Sequence, residues 1–364
     1  ETAQINVRTA ALFMACLPFP KRLILTTMSP AIVGICAGAI NEPAPASTMV
    51  VRFGSLGRWA QPARVCYACA VLGQDATAKG ALMVKPKTST TTLGCPDWNL
   101  ETIARNLSTY AYDAVDFRGL GEHLDVTTAP EFTAHLPESK RMLTDAGLSV
   151  SCISSSIRLC DRDRIEDNLD EARRTIALAT ELGAPCVRVF GGGAIEACSR
   201  PALVDAAAET LERILGLDGA HAMAWCLETH DHWVGADDVA LLLEGLPVSV
   251  VGVVWDVGHT PRVTKERPAD SWTAYGARVL NTHFKDAVFD PEHPHAMEDG
   301  WRYVYLGEGA LPLAEAVEVL AKHGYEGYLT LEHEKRWHPE LPEPEAMFPH
   351  ALAWFEEAWR SAFG

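Results

Sequence analysis

Over residues 90–364 the chain alternates eight short β-branched runs with segments of helical periodicity, and that alternation admits few folds. The runs are 90–95, 114–119, 149–154, 186–191, 223–229, 250–256, 280–285 and 327–332. Between them the apolar residues recur at intervals of three and four. Ile165, Leu169, Ala172, Ile176 and Ala179 share one helix face, and Gly183 follows where a helix closes in the left-handed conformation. Leu313, Val317 and Leu320 repeat the pattern before Gly324, and Asn99 is placed to cap a helix carrying Leu100, Ile103 and Leu107. Strands joined by helices run parallel. Eight such units fill residues 88–364 and leave no stretch for a further domain, so the expected fold is α/β, a closed (β/α)8 barrel. An open doubly wound sheet is the rival. Against it, the first βα turn, residues 93–99, has no Gly-x-Gly-x-x-Gly, and polar residues gather at the ends of four late strands.

Residues 1–87 read differently, as an N-terminal extension of low structure or one that owes its presence to the choice of start site, since Met83 stands just before the first strand. The whole chain carries a net charge of −17, but residues 1–82 contribute +4 and the remainder −21. A field of that sign repels nucleic-acid phosphate and anionic membrane, so neither is an expected partner and small molecules are. Residues 23–40 form an apolar run that raises a leader or a membrane anchor. Pro30, the interleaved Thr and Ser, and its distance from the start argue against both. Residues 41–47 read as linker. Cys66-Tyr67-Ala68-Cys69 has the spacing of a redox dithiol or half a zinc site; with no second pair nearby it reads as two small core or loop cysteines. The ten cysteines are scattered, several inside apolar strand runs as reduced buried thiols are, which points to a cytoplasmic protein.

In such a barrel the chemistry sits at the C-terminal ends of the strands. Strand five ends Cys226-Leu227-Glu228-Thr229-His230 and strand six Trp255-Asp256-Val257-Gly258-His259. Strand seven ends Thr282-His283-Phe284-Lys285-Asp286 and strand eight Leu331-Glu332-His333-Glu334. Glu228, Asp256 and His283 are separated by 28 and 27 residues, one βα unit each, which puts them on neighbouring strands at similar height. The longer interval to Glu332 is absorbed by a loop over 288–309. Three carboxylates and one imidazole meeting at a point repel one another unless a cation joins them. Three oxygens and one nitrogen with no thiolate suit a divalent ion, Mn2+, Mg2+ or Co2+, with Zn2+ also allowed. Open positions on that ion let adjacent carbonyl and hydroxyl oxygens of a substrate chelate it, which acidifies the intervening C–H by stabilising an enediolate. Glu228 and Glu332 are then the pair expected to remove and return the proton.

The neighbouring residues divide between two roles. His259 binds a substrate hydroxyl or satisfies a loop carbonyl. Lys285 stabilises an oxyanion or pairs with Asp286. Arg118 and Arg188 hold substrate or brace the barrel through carboxylates. His230, His232, His333 and Glu334 read as outer or solvated groups. Residues 290–300, with His293 and His295, read as a solvated loop on the active face, placed to act as a lid, in preference to a second metal site.

Residues 93–99 (LGCPDWN), Leu227-Glu228-Thr229-His230, residues 255–259 (WDVGH), residues 283–286 (HFKD), residues 306–309 (LGEG) and residues 331–334 (LEHE) together resemble the xylose-isomerase-like TIM-barrel superfamily, in particular its sugar phosphate isomerase/epimerase branch. The resemblance spans residues 88–364 and none of the extension. It implies one divalent ion on Glu228, Asp256, His283 and Glu332, proton shuttling by Glu228 and Glu332, and a substrate contact from His259. It makes a metal-dependent isomerase or epimerase of a sugar or sugar phosphate the expected activity, on a sugar or polyol substrate. A dehydratase of inososes or dehydroshikimate, using a similar ring, is the alternative. The superfamily's apurinic-site endonucleases carry an Asp-x-His before the LGEG segment where this chain has Trp301 and Tyr303, so two of their zinc ligands are missing. A non-catalytic sugar-binding barrel would have a broken ring, whereas all four candidates are present. Barrels of this family often pair, so a homo-oligomer is open.

Overall fold

Parallel pairing that returns to its own starting strand leaves no edge to cover, and this chain achieves it with the eight βα units read from its pattern. In the computed structural model, which describes residues 85–363 with the short segments Gln4–Ile5 and Met49–Val50, the strands are β1 (Lys87–Thr91), β2 (Ala114–Phe117), β3 (Ser149–Arg158), β4 (Cys186–Phe190), β5 (Ala224–Glu228), β6 (Val251–Asp256), β7 (Val279–Phe284) and, after an excursion, β10 (Tyr328–Leu331). Each is parallel to the next, and β10 pairs with both β7 and β1 to close the barrel. Helices α1 (Leu100–Tyr110), α2 (Leu136–Asp145), α3 (Ile165–Leu182), α4 (Arg200–Leu215) and α5 (Ala236–Glu244) follow the first five strands. The sixth unit carries two helices, α6 (His259–Thr264) and α7 (Pro268–Tyr275); α8 (Leu313–Lys322) and α9 (Pro344–Ser361) complete the ring.

The local signals act as expected. Asn99 accepts from Thr102 N at 2.9 Å and caps α1, and Gly183 takes φ 69° at the end of α3, where a Cβ would strain the turn. Buried apolar side chains from strands and helices form one large core, including Trp225, Trp255, Phe117, Phe284 and Phe355. A second apolar group, Cys152, Cys186, Cys226 and Val254, lies on four consecutive strands. Cys226 and Val254 precede Glu228 and Asp256 by two residues, so strand alternation puts them on the same inward face, beneath the acids.

Two expectations are corrected. The first strand is Lys87–Thr91, not 90–95, and Thr92–Gly94 form a 3-10 turn. Its sequence, Lys-Thr-Ser-Thr-Thr, has no apolar residue, yet Thr88, Ser89, Thr90 and Thr91 are all buried, so hydropathy hides the strand. The loop over 288–309 contains much of an antiparallel hairpin, β8 (Asp286–Phe289) with β9 (Trp301–Val304), outside the barrel sheet.

The chain divides into two units, Glu1–Val65 and Cys66–Gly364. In the first, Gln4–Ile5 pairs antiparallel with Met49–Val50. The apolar run 23–40, the linker 41–47 and the Cys66/Cys69 pair lie outside the described residues. No described helix is long and apolar enough to cross a membrane. The six described cysteines are free thiols, all buried except Cys198.

Candidate active site

The register of the last four strands brings their ends to one mouth. Asp256 stands opposite His283 across β6 and β7. Leu331 stands opposite Phe284, and Glu332 N donates to Phe284 O at 2.9 Å, which fixes the first residue past β10 beside β7. Glu228, the last residue of β5, completes the approach. All four side chains are buried.

Glu228, His283 and Glu332 each offer a ligand atom within 4.8 Å of the others. His283 Nδ1 lies 2.8 Å from Glu228 Oε1 and 3.3 Å from Glu332 Oε1. Asp256 is linked to this trio through Lys285, whose Nζ lies 2.8 Å from Asp256 Oδ2, 2.5 Å from Glu332 Oε2 and 2.9 Å from Glu334 Oε1. The other Asp256 oxygen accepts from Gly258 N and His259 N at 3.1 and 2.8 Å. Oδ2 has the ammonium close by but off the line of a hydrogen bond, and it is left without a donor in the buried interior. The three atoms of the trio, two carboxylates and an imidazole with no thiolate, fit a hard or borderline divalent ion, and the orphaned Asp256 oxygen is the natural fourth donor. Charge points the same way: among the described residues, the five carboxylates Asp116, Glu228, Asp256, Glu332 and Glu334 form ion pairs with Arg188, Lys285 and the His283 ring, fewer cations than acids.

The electrostatics follow from burial and these partners. Burial opposes ionisation of Glu228, but Arg188, which donates to it at 2.7 Å, and His283 outweigh burial and hold the carboxyl below the usual range. Burial is likewise outweighed at Glu332, by Lys285 and His283. At Asp256 burial prevails, reinforced by Glu332 and Glu228, and the carboxyl is raised despite Lys285. Both glutamates are therefore ionised and able to accept a proton.

The remaining candidates separate clearly. His259 stacks on His230 with centroids 4.7 Å apart, and Arg262 Nη2 approaches its Nδ1 at 3.2 Å. Burial first, then Lys285, His230 and Arg262, push the His259 pKa down to about 2, so the ring is neutral. Phe190 extends this wall beyond His230, and the Arg188 guanidinium lies 3.9 Å over the Phe190 ring. Arg188 thus braces Glu228. Arg118 donates to Leu124 O and Ser156 Oγ, holding a loop at the mouth. Lys285 does not pair with Asp286; that carboxylate accepts instead from the backbone of Ala287, Gly307, Gly309 and Leu311. Glu334 is not solvated, since Lys285 holds it. His333 is buried with Nε2 on Pro342 O. His293 and His295 lie 5.6 Å apart between centroids, and no third ligand joins them among the described residues. Trp301 packs edge-on against Phe289, and Tyr303 lies 6.0 Å from Lys285 Nζ.

Reading strand ends alone misses Asp116, Ser154 and Tyr303. Asp116 announces itself only as an acid between Val115 and Phe117 in a short apolar strand.

A model of the xylose isomerase-like TIM barrel matches residues 104–358. No functionally curated protein matches the sequence. Among solved structures, the chain is similar to the IOLI protein with a bound zinc atom (TM-score 0.61, 14% identity, 76% of this chain and 99% of that one). It is similar to an L-ribulose 3-epimerase (0.60, 17%, 76% and 96%). It is also similar to the probable 3-DHS dehydratase AsbF of Bacillus anthracis (0.60, 16%, 74% and 98%). At these identities the likeness is one of fold.

Proposed function

Since the chain belongs to the xylose isomerase-like TIM-barrel family, we propose that it is a divalent-metal-dependent isomerase or epimerase of a small sugar or polyol. The observation that carries the reading is the buried trio Glu228, His283 and Glu332, whose ligand atoms all lie within 4.8 Å of one another. In this reading Glu228, His283, Glu332 and Asp256 hold the ion, Mn2+, Mg2+ or Co2+ by the oxygen-rich donor set and Zn2+ by its borderline character. The ion supplies Lewis acidity toward a carbonyl and its neighbouring hydroxyl. Glu228 takes the proton from the carbon between them and Glu332 returns one. Lys285, hydrogen-bonded to Glu332, keeps that carboxylate charged and offers a proton to a developing alkoxide. The neutral His259 ring, half-buried in its stack with His230, accepts from a substrate hydroxyl. Arg118 and Arg188 line the mouth and hold the groups that grip substrate.

A second reading, loss of a β-hydroxyl instead of reprotonation, is favoured by Lys285: an ammonium beside Glu332 is an acid placed to protonate a leaving hydroxyl.

The test begins with protein stripped by a chelator and reloaded with each ion in turn, the bound metal being counted. One ion per chain is expected. Ketoses, an inosose and dehydroshikimate are then incubated in deuterated water. Deuterium at carbon without loss of water identifies an isomerase or epimerase, and an unsaturated product identifies a dehydratase. Glu228→Gln and Glu332→Gln are each expected to lower turnover by about 10²–10⁴-fold. A chain that binds no divalent ion rules the proposal out.

A further inference from the structure

Asp116 lies inside β2, fully buried, on the opposite side of the His283 ring from the two glutamates. Both its oxygens are used. Oδ1 accepts from Ser154 Oγ at 2.7 Å, and Oδ2 lies 3.2 Å from His283 Nε2. Its side chain forms no ion pair with Arg or Lys among the described residues, so the imidazole N–H and the Ser154 hydroxyl are what offset the cost of burying this carboxylate. The backbone is adapted to the contact. The register between β2 and β3 slips by one residue at this point, Val115 facing Val150 but Asp116 facing Cys152, the kind of irregularity that re-aims a side chain. An imidazole has two in-plane nitrogens on opposite edges, so whatever holds one decides where the other points. Here Nδ1 points between Glu228 Oε1 and Glu332 Oε1.

We propose that Asp116, itself oriented by Ser154, is a positioning residue for the metal centre: it takes the Nε2–H hydrogen bond of His283 and so presents the Nδ1 lone pair to the ion held with Glu228 and Glu332. The inference rests on the metal-centre reading above and adds to it a residue from the far side of the barrel. A carboxylate behind a histidine ligand fixes the ring and raises its basicity. Ser154 extends the support to a third strand, so residues of β2, β3 and β7 are joined by two hydrogen bonds.

The experiment is a calorimetric titration of Mn2+ into chelator-stripped protein for wild type, Asp116→Asn, Asp116→Ala and Ser154→Ala, with the melting temperature of each ion-free protein measured in parallel. Asn keeps the shape but lets an amide N–H turn toward Nε2, so Asp116→Asn is expected to weaken Mn2+ binding about tenfold, and Asp116→Ala up to about a hundredfold. Ser154→Ala is expected to lose less than either. A residue that only fills space would lower the ion-free melting temperature and leave Mn2+ affinity alone. Equal affinity in wild type and folded Asp116→Asn overturns the inference by itself. Absence of Mn2+ binding in wild type overturns the metal-centre reading, and the inference with it.

Discussion

His259 shows how a single side chain records its surroundings. It stands beside Lys285, Arg262 and His230, and burial adds to their effect, so the folded protein keeps the ring neutral while the unfolded chain protonates it below 6.5. Between 6.5 and about 2 the unfolded state therefore binds more protons at this site, and folding stability falls as pH falls. The expected outcome is that wild type loses stability relative to His259→Asn by on the order of 1 kcal/mol per pH unit in the mildly acidic range. Chemical denaturation of the two ion-free proteins across that range measures the difference, and a constant gap would mean the folded ring takes up the proton after all. Residue type and spacing marked His259 as a candidate, but its charge state depends on Arg262 and Lys285, which only folding brings against it. Lys285 makes the same point. Pairing with its sequence neighbour Asp286 is one of two roles open to it by sequence, yet the Asp286 carboxylate turns to backbone N–H groups and the ammonium meets Asp256, Glu332 and Glu334 instead.

At the scale of elements, the excursion between β7 and β10 is organised around Asp286. Its carboxylate gathers four backbone N–H groups, from Ala287, Gly307, Gly309 and Leu311, and a Cβ built on Gly309 would lie 1.8 Å from Asp286 Oδ1. The turn thus needs an acid at one position and a glycine at the other. Asp286→Ala strands several of those N–H groups, and a loss of roughly 2–4 kcal/mol in unfolding free energy is expected from denaturant curves. Hairpin β8/β9 should loosen with it, since β8 begins at Asp286. Helices were the most legible elements, because an apolar face at three and four residues and a capping Asn or closing Gly are local properties. The hydroxyl-lined β1 and the hairpin were not. The first is buried without being apolar, and the second is set by contacts reaching from residue 286 to 311.

The whole molecule closes through β10, which pairs on one side with β7 and on the other with β1, so every barrel strand lies between Lys87 and Leu331. A chain beginning at Met83 is accordingly expected to unfold in a single transition at the wild-type midpoint and to bind the same single ion. If it failed to fold, residues 1–82 would be a structural part of the barrel and not an extension. The order of elements, the barrel they form and the acids and imidazole at four strand ends were all determined by the sequence, because each is written in residue types at short or regular spacing. Which of those groups meet was decided only by tertiary structure: Glu228, His283 and Glu332 come together directly, Asp256 joins them through Lys285, and Asp116 reaches His283 from across the barrel. Strand register, a one-residue slip and the balance of buried charge settle these contacts. They act between residues 29 to 167 positions apart, where the spacing of βα units brings strand ends to one mouth but does not say which side chains touch.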